Sequence, residues 1–283
     1  MALAIGLALA GCSDAPEPAA EVVVTGEPGA QPTLAYDIPL TVTEPRVEVL
    51  AEGTGPELVE GAPVLVDYYA ESAADRSVVG ETFSGEPKPY LLTEEALGVD
   101  IYDALRGQRV GARILQLVPA TDAQAGPTVA VFDVLATRAS GEQVEPRAGM
   151  PTVTLADDGA PTITLPAAGP PTEAVVQPLI RGTGPQVEPG QIITVQYTGV
   201  TWTDGTVFDT TWGQDKLPTS FPIGVGSVIA GWDEGLVEQT VGSQVLLVIP
   251  PDLGYGGTDH ELADQTLVFV VDILAASGGP AEG

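Results

Sequence analysis

Apolar and polar residues alternate along short runs of this chain, and two of the clearest runs resemble each other. Every second position is apolar from residue 64 to 68 and again from 193 to 197. A period of two residues is typical of a strand with one buried face. Helical spacing occurs in one segment, where Val228, Ile229, Trp232 and Leu236 fall on a single stripe. The pattern therefore predicts a short helix embedded among strands.

Six strands are predicted in the second half of the chain, at residues 174–180, 192–198, 206–209, 220–223, 244–249 and 266–274. An antiparallel sheet built from them has one face available to cover the apolar stripe of the helix. The predicted fold class is accordingly α+β, with a mainly antiparallel β-sheet packed on a short helix.

The sequence also repeats itself. Glu-Gly-Thr-Gly-Pro at 52–56 recurs as Arg-Gly-Thr-Gly-Pro at 181–185, so that Gly53 and Gly182 are 129 positions apart. Three further matches follow, between 64–68 and 193–197, between 110–119 and 241–250, and between 129–136 and 268–275. Four matches in the same order predict two tandem copies of one fold unit.

Composition divides the chain into five predicted segments. They are a signal peptide at 1–12, a flexible tether at 13–35, a first copy at 36–139, a Pro- and Gly-rich linker at 140–173 and a second copy at 174–277. The tether is assigned because Pro, Ala, Glu and Gly dominate it and bury too little apolar surface to fold alone. Within the linker, two β-branched runs flank Asp157-Asp158-Gly159, which predicts a small hairpin.

The net charge of the chain disfavours some classes of binding partner. The chain carries 39 Asp and Glu against 10 Lys and Arg, a net charge of −29. Such a charge disfavours binding to nucleic acid and to anionic membrane surfaces. Because the acidic residues are spread out, they indicate a well-solvated surface of a secreted protein.

The first twelve residues form an apolar run that is too short to span a bilayer and is typical of a secretory leader. Leu9-Ala-Gly-Cys12 resembles the lipobox of bacterial lipoproteins, which makes Cys12 the predicted lipidation site. Cys12 is the single cysteine, so a disulfide within the chain is excluded and a thiol-ligated metal site is not expected. The predicted location is extracytoplasmic, anchored to the cell membrane. The alternative is an ordinary apolar N-terminus with an incidental cysteine.

Several motifs of the second copy follow one another in a recognisable order. They are Val195-Gln-Tyr-Thr-Gly199, Asp204-Gly-Thr-Val-Phe-Asp209, Phe221-Pro-Ile-Gly224, Val228-Ile-Ala-Gly-Trp-Asp-Glu-Gly-Leu236, Ile249-Pro-Pro-Asp-Leu-Gly-Tyr-Gly256 and Thr266-Leu-Val-Phe269. With them the second copy resembles the tacrolimus-binding immunophilins, the FKBP-type peptidyl-prolyl cis-trans isomerases. The resemblance implies a twisted antiparallel sheet wrapped on a short helix, here in two tandem copies.

The resemblance also implies an aromatic pocket for a proline ring, without a cofactor or metal. Trp232 is the expected floor. The other expected site residues are Tyr197, Phe208, Asp209, Val228, Ile229, Tyr255 and Phe269, with Phe221 as a further substrate-binding residue. Tyr255 is expected to donate its hydroxyl to a substrate carbonyl. Aromatic residues that face a sheet interior are otherwise core residues, and for Phe221 that interpretation stays open.

Some positions depart from the family pattern. Thr219 replaces a pocket phenylalanine, the loop after Tyr255 is short, and no arginine follows Asp209. His260 in that loop is predicted to be solvated.

The first copy departs further, so we expect it to be degenerate and without isomerase chemistry, and to serve as a spacer, a dimer surface or a substrate-holding module. Its expected counterparts of the site residues are Tyr68, Phe83, Ser84 at the aspartate position, Ile101 at the tryptophan, Gln124 at the loop tyrosine and Ala130 at the last phenylalanine.

These features lead to one main hypothesis and two alternatives. The main hypothesis is a lipid-anchored prolyl isomerase that acts on unfolded or newly exported proline-containing polypeptides and also binds tacrolimus-like macrolides. Uncatalysed prolyl isomerisation takes tens to hundreds of seconds, which is slow enough to limit folding after export. The first alternative is a non-catalytic module that binds proline-containing peptides as a chaperone. The second is a structural envelope lipoprotein without a pocket.

Overall fold

The computed structural model describes residues 21–121 and 126–278. We call the described residues from 21 to 135 the first unit and those from 140 to 277 the second unit. In chain order the first unit contains β1 (Val23–Thr25), β2 (Thr33–Ala35), β3 (Arg46–Ala51), β4 (Pro63–Ser72), β5 (Val78–Glu81), β6 (Lys88–Leu91), α1 (Glu94–Leu97), α2 (Val99–Leu105), β7 (Arg113–Val118) and β8 (Thr128–Leu135).

The second unit repeats this order of strands after one additional short strand, with one helix in place of two. In chain order it contains β9 (Glu142–Gln143), β10 (Thr152–Leu155), β11 (Pro161–Thr164), β12 (Val175–Arg181), β13 (Ile192–Thr201), β14 (Val207–Thr210), β15 (Thr219–Pro222), α3 (Ala230–Leu236), β16 (Gln244–Ile249) and β17 (Leu267–Ser277). A 3-10 turn at Pro251–Leu253 follows β16. All six strands predicted in this half are present.

The two large sheets are antiparallel and have the same strand order. The first runs β3-β7-β8-β4-β5, with β6 paired to β4. The second runs β12-β16-β17-β13-β14, with β15 paired to β13 and β9 added beside β12. At the centre of each sheet its longest strands pair, β4 with β8 and β13 with β17. This topology confirms the predicted α+β class and the tandem copies.

A short helix packs on one face of each sheet. In the second unit α3 buries Trp232 and Leu236 in one cluster with Val245 of β16. In the first unit α2 buries Leu105 in a cluster with Ile114 of β7. Among residues 21–121 and 126–278, no helix has the length and apolar character needed to cross a membrane.

The opposite face of each sheet is covered by a two-stranded hairpin. β1 and β2 pair Val24 with Leu34, and β10 and β11 pair Val153 with Ile163. The second hairpin is the one predicted at Asp157-Asp158-Gly159. The first hairpin shares a buried cluster with Leu115, Leu117, Val129 and Val131, and the second shares one with Leu179, Val200, Trp202 and Leu246. Each unit is therefore a three-layer structure of helix, sheet and hairpin.

The predicted flexible tether is wrong for residues 21–35, which form the first hairpin, while residues 13–20 lie outside the described part of the chain. The hairpin turn is bound by two buried residues of the sheet. The Arg113 guanidinium donates to the carbonyls of Gly26 and Ala30 at 2.7 and 2.6 Å. The Gly29 amide donates to Asp133 Oδ2 at 2.7 Å. The prediction from composition failed because the apolar residues of this segment, although few, alternate along the two strands and so form one apolar face that covers the sheet.

A buried carboxylate lies at the same position in both sheets. Its oxygens have an ionic partner in the first sheet and neutral hydrogen-bond donors in the second. Asp133 forms an ion pair with Arg113, whose Nε lies 2.6 Å from Oδ1. Asp272 instead accepts hydrogen bonds from the Gln244 side chain and the Ala139 amide, both at 2.7 Å. Burial raises the pKa of Asp272 to about 6, although both hydrogen bonds oppose this shift. The segment that follows the first unit is thus fixed to the second sheet.

Candidate functional site

A cavity of about 540 Å³ opens in the second unit beside the beginning of α3. All nine site residues expected from the sequence lie in its wall. The lining consists of Tyr197, Phe208, Asp209, Phe221, Ser227, Val228, Ile229, Ala230, Trp232, Gly254, Tyr255 and Phe269. Strands β13, β14, β15 and β17 therefore contribute side chains to the same concave surface as the helix.

Trp232 lies at the centre of this wall and is only 4% exposed. Its ring centroid is 5.2 Å from Tyr197, 5.5 Å from Phe221 and 5.4 Å from Phe269, and the three interplanar angles are between 83° and 90°. Edge-to-face pairs at these separations are the arrangement that ring quadrupoles favour. The tryptophan is thus held by aromatic contacts with three strands. Phe221 belongs both to this packing and to the cavity wall.

Tyr197 and Asp209 form a polar pair at the edge of the aromatic wall. The Tyr197 hydroxyl donates to Asp209 Oδ2 at 2.5 Å. Burial, followed by this hydrogen bond and the charge of Asp209, raises the pKa of Tyr197 above its ordinary value. The phenol therefore stays protonated at neutral pH and keeps Asp209, which is itself exposed, in one position.

Tyr255 is half-buried on the other side of the cavity, in the loop after the 3-10 turn. Burial, followed by the charge of Asp209, raises the pKa of Tyr255. Its ring stacks on the His260 imidazole with 3.9 Å between centroids and 13° between planes. His260 is exposed, as expected, and its Nδ1 accepts from the Leu262 amide at 3.1 Å. These contacts within the short loop hold the Tyr255 ring in place. Because its pKa is raised, the Tyr255 hydroxyl is protonated at neutral pH.

Gly199 is a residue of this site to which the sequence alone assigned no role. Phe208 and Phe269 pack edge to face above it, with centroids 5.4 Å apart. A Cβ at position 199 would lie 2.6 Å from Phe208 Cζ and 2.8 Å from Phe269 Cε1, closer than such atoms approach. Only glycine lets both rings approach β13. Its place opposite Phe269 in the strand pairing is the signal that identifies it.

The rim residues precede the helix instead of forming part of it. The helix begins at Ala230, with Ile229 as its N-terminal cap residue in an extended conformation. The predicted helical stripe is therefore wrong for Val228 and Ile229. The Asp233 carboxylate accepts from the amides of Gly224 and Gly226 at 2.6 and 2.7 Å. These bonds fix the loop that presents the rim.

Two departures from the family pattern have visible consequences. Thr219 lies in β15, half-buried and paired with Val195, and is not part of the cavity lining. In the stretch after Asp209, the Lys216 ammonium donates to the carbonyl of Thr210 at 2.7 Å. Within the described residues, no group of three or more His, Cys, Asp or Glu side chains is placed to hold a metal ion.

The first unit has a cavity of about 400 Å³ at the corresponding place. Gly199 pairs with Phe269 in the second sheet, and Ala70 pairs with Ala130 in the first. Ala130 thus stands at the position of the last phenylalanine, as expected. Ile101 in α2 lines this cavity where α3 provides tryptophan.

The aspartate position of the first unit holds glycine. Asp209 pairs with Gly199 in the second sheet, and Gly80 pairs with Ala70 in the first. The preceding residue, Val79, accordingly stands at the phenylalanine position and lines the cavity.

The prediction that Phe83 and Ser84 hold these two positions was therefore wrong. Thr82, directly before them, accepts from the Tyr68 amide at 2.8 Å. Thr211, which follows β14, accepts from the corresponding amide in the second unit at the same distance. Phe83 and Ser84 thus lie beyond the strand, and the error came from matching residue types without the register. Gln124, expected at the loop tyrosine, lies outside the described residues.

Comparison with known proteins identifies one family. Residues 184–274 match the family of FKBP-type peptidyl-prolyl cis-trans isomerases. The probable FK506-binding protein of Corynebacterium glutamicum is 37% identical over 106 residues, which cover 37% of this chain and 87% of that protein. The peptidyl-prolyl cis-trans isomerase Fkbp12 of Drosophila melanogaster is 42% identical over 103 residues, which cover 35% of this chain and 94% of that protein. The crystal structure of FkpA from Escherichia coli is 31% identical and covers 47% of this chain and 54% of its own, with a TM-score of 0.35.

Proposed function

Because this chain belongs to the FKBP-type peptidyl-prolyl cis-trans isomerase family, we propose that its second unit turns X–Pro bonds of exported polypeptides outside the cytoplasmic membrane. The observation that carries the proposal is the aromatic cavity around Trp232, with two protonated tyrosines at its edge. The same cavity is the proposed binding site for tacrolimus-like macrolides.

An apolar cavity suits this reaction because nothing has to be transferred. Resonance in the X–Pro amide sets a rotation barrier of roughly 18–20 kcal/mol. As the bond twists, resonance is lost and the carbonyl becomes less polar. A site with few polar groups therefore disfavours the planar, polar ground state more than the twisted state. Trp232, Phe208 and Phe269 provide such a surface for the proline ring.

The polar groups at the edge have separate proposed roles. Tyr255 donates its hydroxyl to a carbonyl of the substrate, which fixes the orientation of the chain. Asp209, held by Tyr197 at 2.5 Å, places one carboxylate beside the twisting amide. The Ile229 amide, at the start of α3, is a second donor for the substrate backbone. None of these groups needs to change protonation during turnover.

A turnover assay on the full chain tests the proposal. A chromogenic tetrapeptide with one Leu-Pro bond is expected to isomerise faster with the protein, and Trp232→Ile is expected to remove most of the acceleration. Ile101→Ala, at the corresponding position of the first unit, is the matched control and should turn over normally. No acceleration by a folded wild-type protein that still binds the peptide would favour the non-catalytic module. A folded wild-type protein that neither accelerates isomerisation nor binds the peptide would favour the structural lipoprotein.

The proposed location rests on the apolar leader and the lipobox-like sequence that ends at Cys12. The residues of this segment lie outside the described structure. In a bacterial host, the precursor is expected to show a mobility shift that globomycin blocks and that Cys12→Ser abolishes. A shift that persists in Cys12→Ser, or none in the wild type, would contradict the anchor.

A further inference from the structure

The first unit keeps an open cavity although it has lost most of the side chains that form the aromatic one. Its lining includes Tyr68, Val79, Val99, Gln116, Ala130 and Phe132. With a volume of about 400 Å³, the cavity is large enough for a bulky side chain. The absence of the aromatic site residues is therefore not compensated by other side chains that fill the cavity.

The substitutions remove the groups proposed for isomerisation and leave an apolar wall. Val79 and Gly80 replace the phenylalanine and the aspartate, and a Cβ on Gly80 would lie 3.2 Å from the ring of Tyr68. Tyr68 thus has a glycine where its counterpart has a carboxylate partner. Its ring instead lies 6.2 Å from that of Phe132. The deep polar group, Gln116, is buried and already donates to a backbone carbonyl at 2.6 Å.

Two exposed valines lie in the lining of this cavity. Val79 is 56% exposed and Val99 is 53% exposed. Single exposed apolar residues are common, but two in the lining of one cavity form an apolar surface that a ligand can cover.

The charge beside the mouth is acidic. From Glu94 to Arg106, helices α1 and α2 and the residue that follows carry four acidic residues and one basic residue. The single arginine is already paired, since its Nε lies 3.0 Å from Asp103 Oδ1. Asp100 itself lines the cavity. This field attracts cationic ligands and repels anionic ones such as fatty acids.

We infer that the cavity of the first unit binds one bulky apolar side chain of an unfolded polypeptide, at a segment that is flanked by basic residues and needs no proline. Such a site holds a client without turning its prolyl bonds. Because it is on the same chain as the second unit, it raises the local concentration of a bound client at the aromatic cavity. The inference rests on the proposed function for the class of client, but the binding itself is independent of turnover.

Binding to the full chain is measured by fluorescence anisotropy with a labelled Gly- and Lys-containing octapeptide that has one central Phe and no proline. Val79→Asn places a neutral amide at the mouth and is expected to weaken binding roughly tenfold, about 1.4 kcal/mol, because a bound apolar side chain would cover an amide without a hydrogen-bond partner. The matched control Val59→Asn changes a valine that is 65% exposed and lies outside the cavity lining, and it should bind normally.

A second variant, Ala130→Leu, fills the cavity from β8 and is expected to weaken binding to a similar extent. Trp232→Ile should leave this binding intact while it lowers prolyl turnover, which separates the inference from the proposed function. The inference is overturned if Val79→Asn binds as tightly as wild type, or if Val59→Asn weakens binding equally. It is also overturned if Trp232→Ile abolishes binding, or if a neutral acyl probe binds in place of the peptide.

Discussion

Replacing Trp232 with alanine is expected to lower the free energy of unfolding of the second unit by about 3–5 kcal/mol. The side chain is 4% exposed and makes three edge-to-face contacts with rings from three strands. Its removal leaves a void that these rings cannot fill without giving up their mutual geometry. Because the same rings line the cavity, prolyl turnover is expected to fall roughly tenfold or more, equivalent to about 1.4 kcal/mol of transition-state stabilisation.

Urea unfolding followed by tryptophan fluorescence measures this effect, since Trp202 and Trp212 also lie in the second unit and stay as probes. Ile101→Ala is the matched control in the first unit, where the side chain is only half-buried, and it should leave the transition seen by these probes unchanged. A loss of less than about 1 kcal/mol in Trp232→Ala would show that the aromatic cluster does not stabilise the fold.

Gly199→Ala is expected to destabilise the second unit by about 1–3 kcal/mol and to reduce prolyl turnover. The added Cβ would lie 2.6 Å from Phe208 and 2.8 Å from Phe269, so at least one ring must leave the cavity wall. The corresponding position of the first unit already holds alanine, Ala70, opposite the small Ala130.

The reverse substitution, Ala70→Gly, is therefore the matched control. It should cost only about 0.5–1 kcal/mol, the ordinary penalty for glycine in a regular element. Chemical denaturation of both variants and the tetrapeptide assay provide the comparison. Equal effects at both positions would mean that the close approach of the two rings does not require glycine.

The fold of the second unit was predictable from sequence because local signals agreed with one another. Alternation placed all six strands, and the stripe through Trp232 and Leu236 placed the helix. The start of α3 was not predictable to the residue, since Val228 and Ile229 continue the apolar stripe although both precede the helix and Ile229 has an extended backbone. That boundary is fixed by Asp233, whose carboxylate binds two amides of the preceding loop.

The nine expected site residues came from motif order, and the structure brings them to one cavity. Two features could not be predicted from composition and motifs, because they depend on strand register and on contacts between residues that are distant in sequence. Strand register shows that Gly80, and not Ser84, is the counterpart of Asp209, because pairing partners are set across the sheet. The first hairpin was missed because Arg113 and Asp133, far away in sequence, satisfy the backbone of its turn.

The position of the hairpins defines what was duplicated. Val24 and Leu34 are 129 residues before Val153 and Ile163, which is the same spacing that relates Gly53 to Gly182. The repeating unit therefore includes the hairpin together with the sheet that follows it. A truncated protein that starts at residue 174 would expose the apolar face around Leu246 to water and would tend to aggregate.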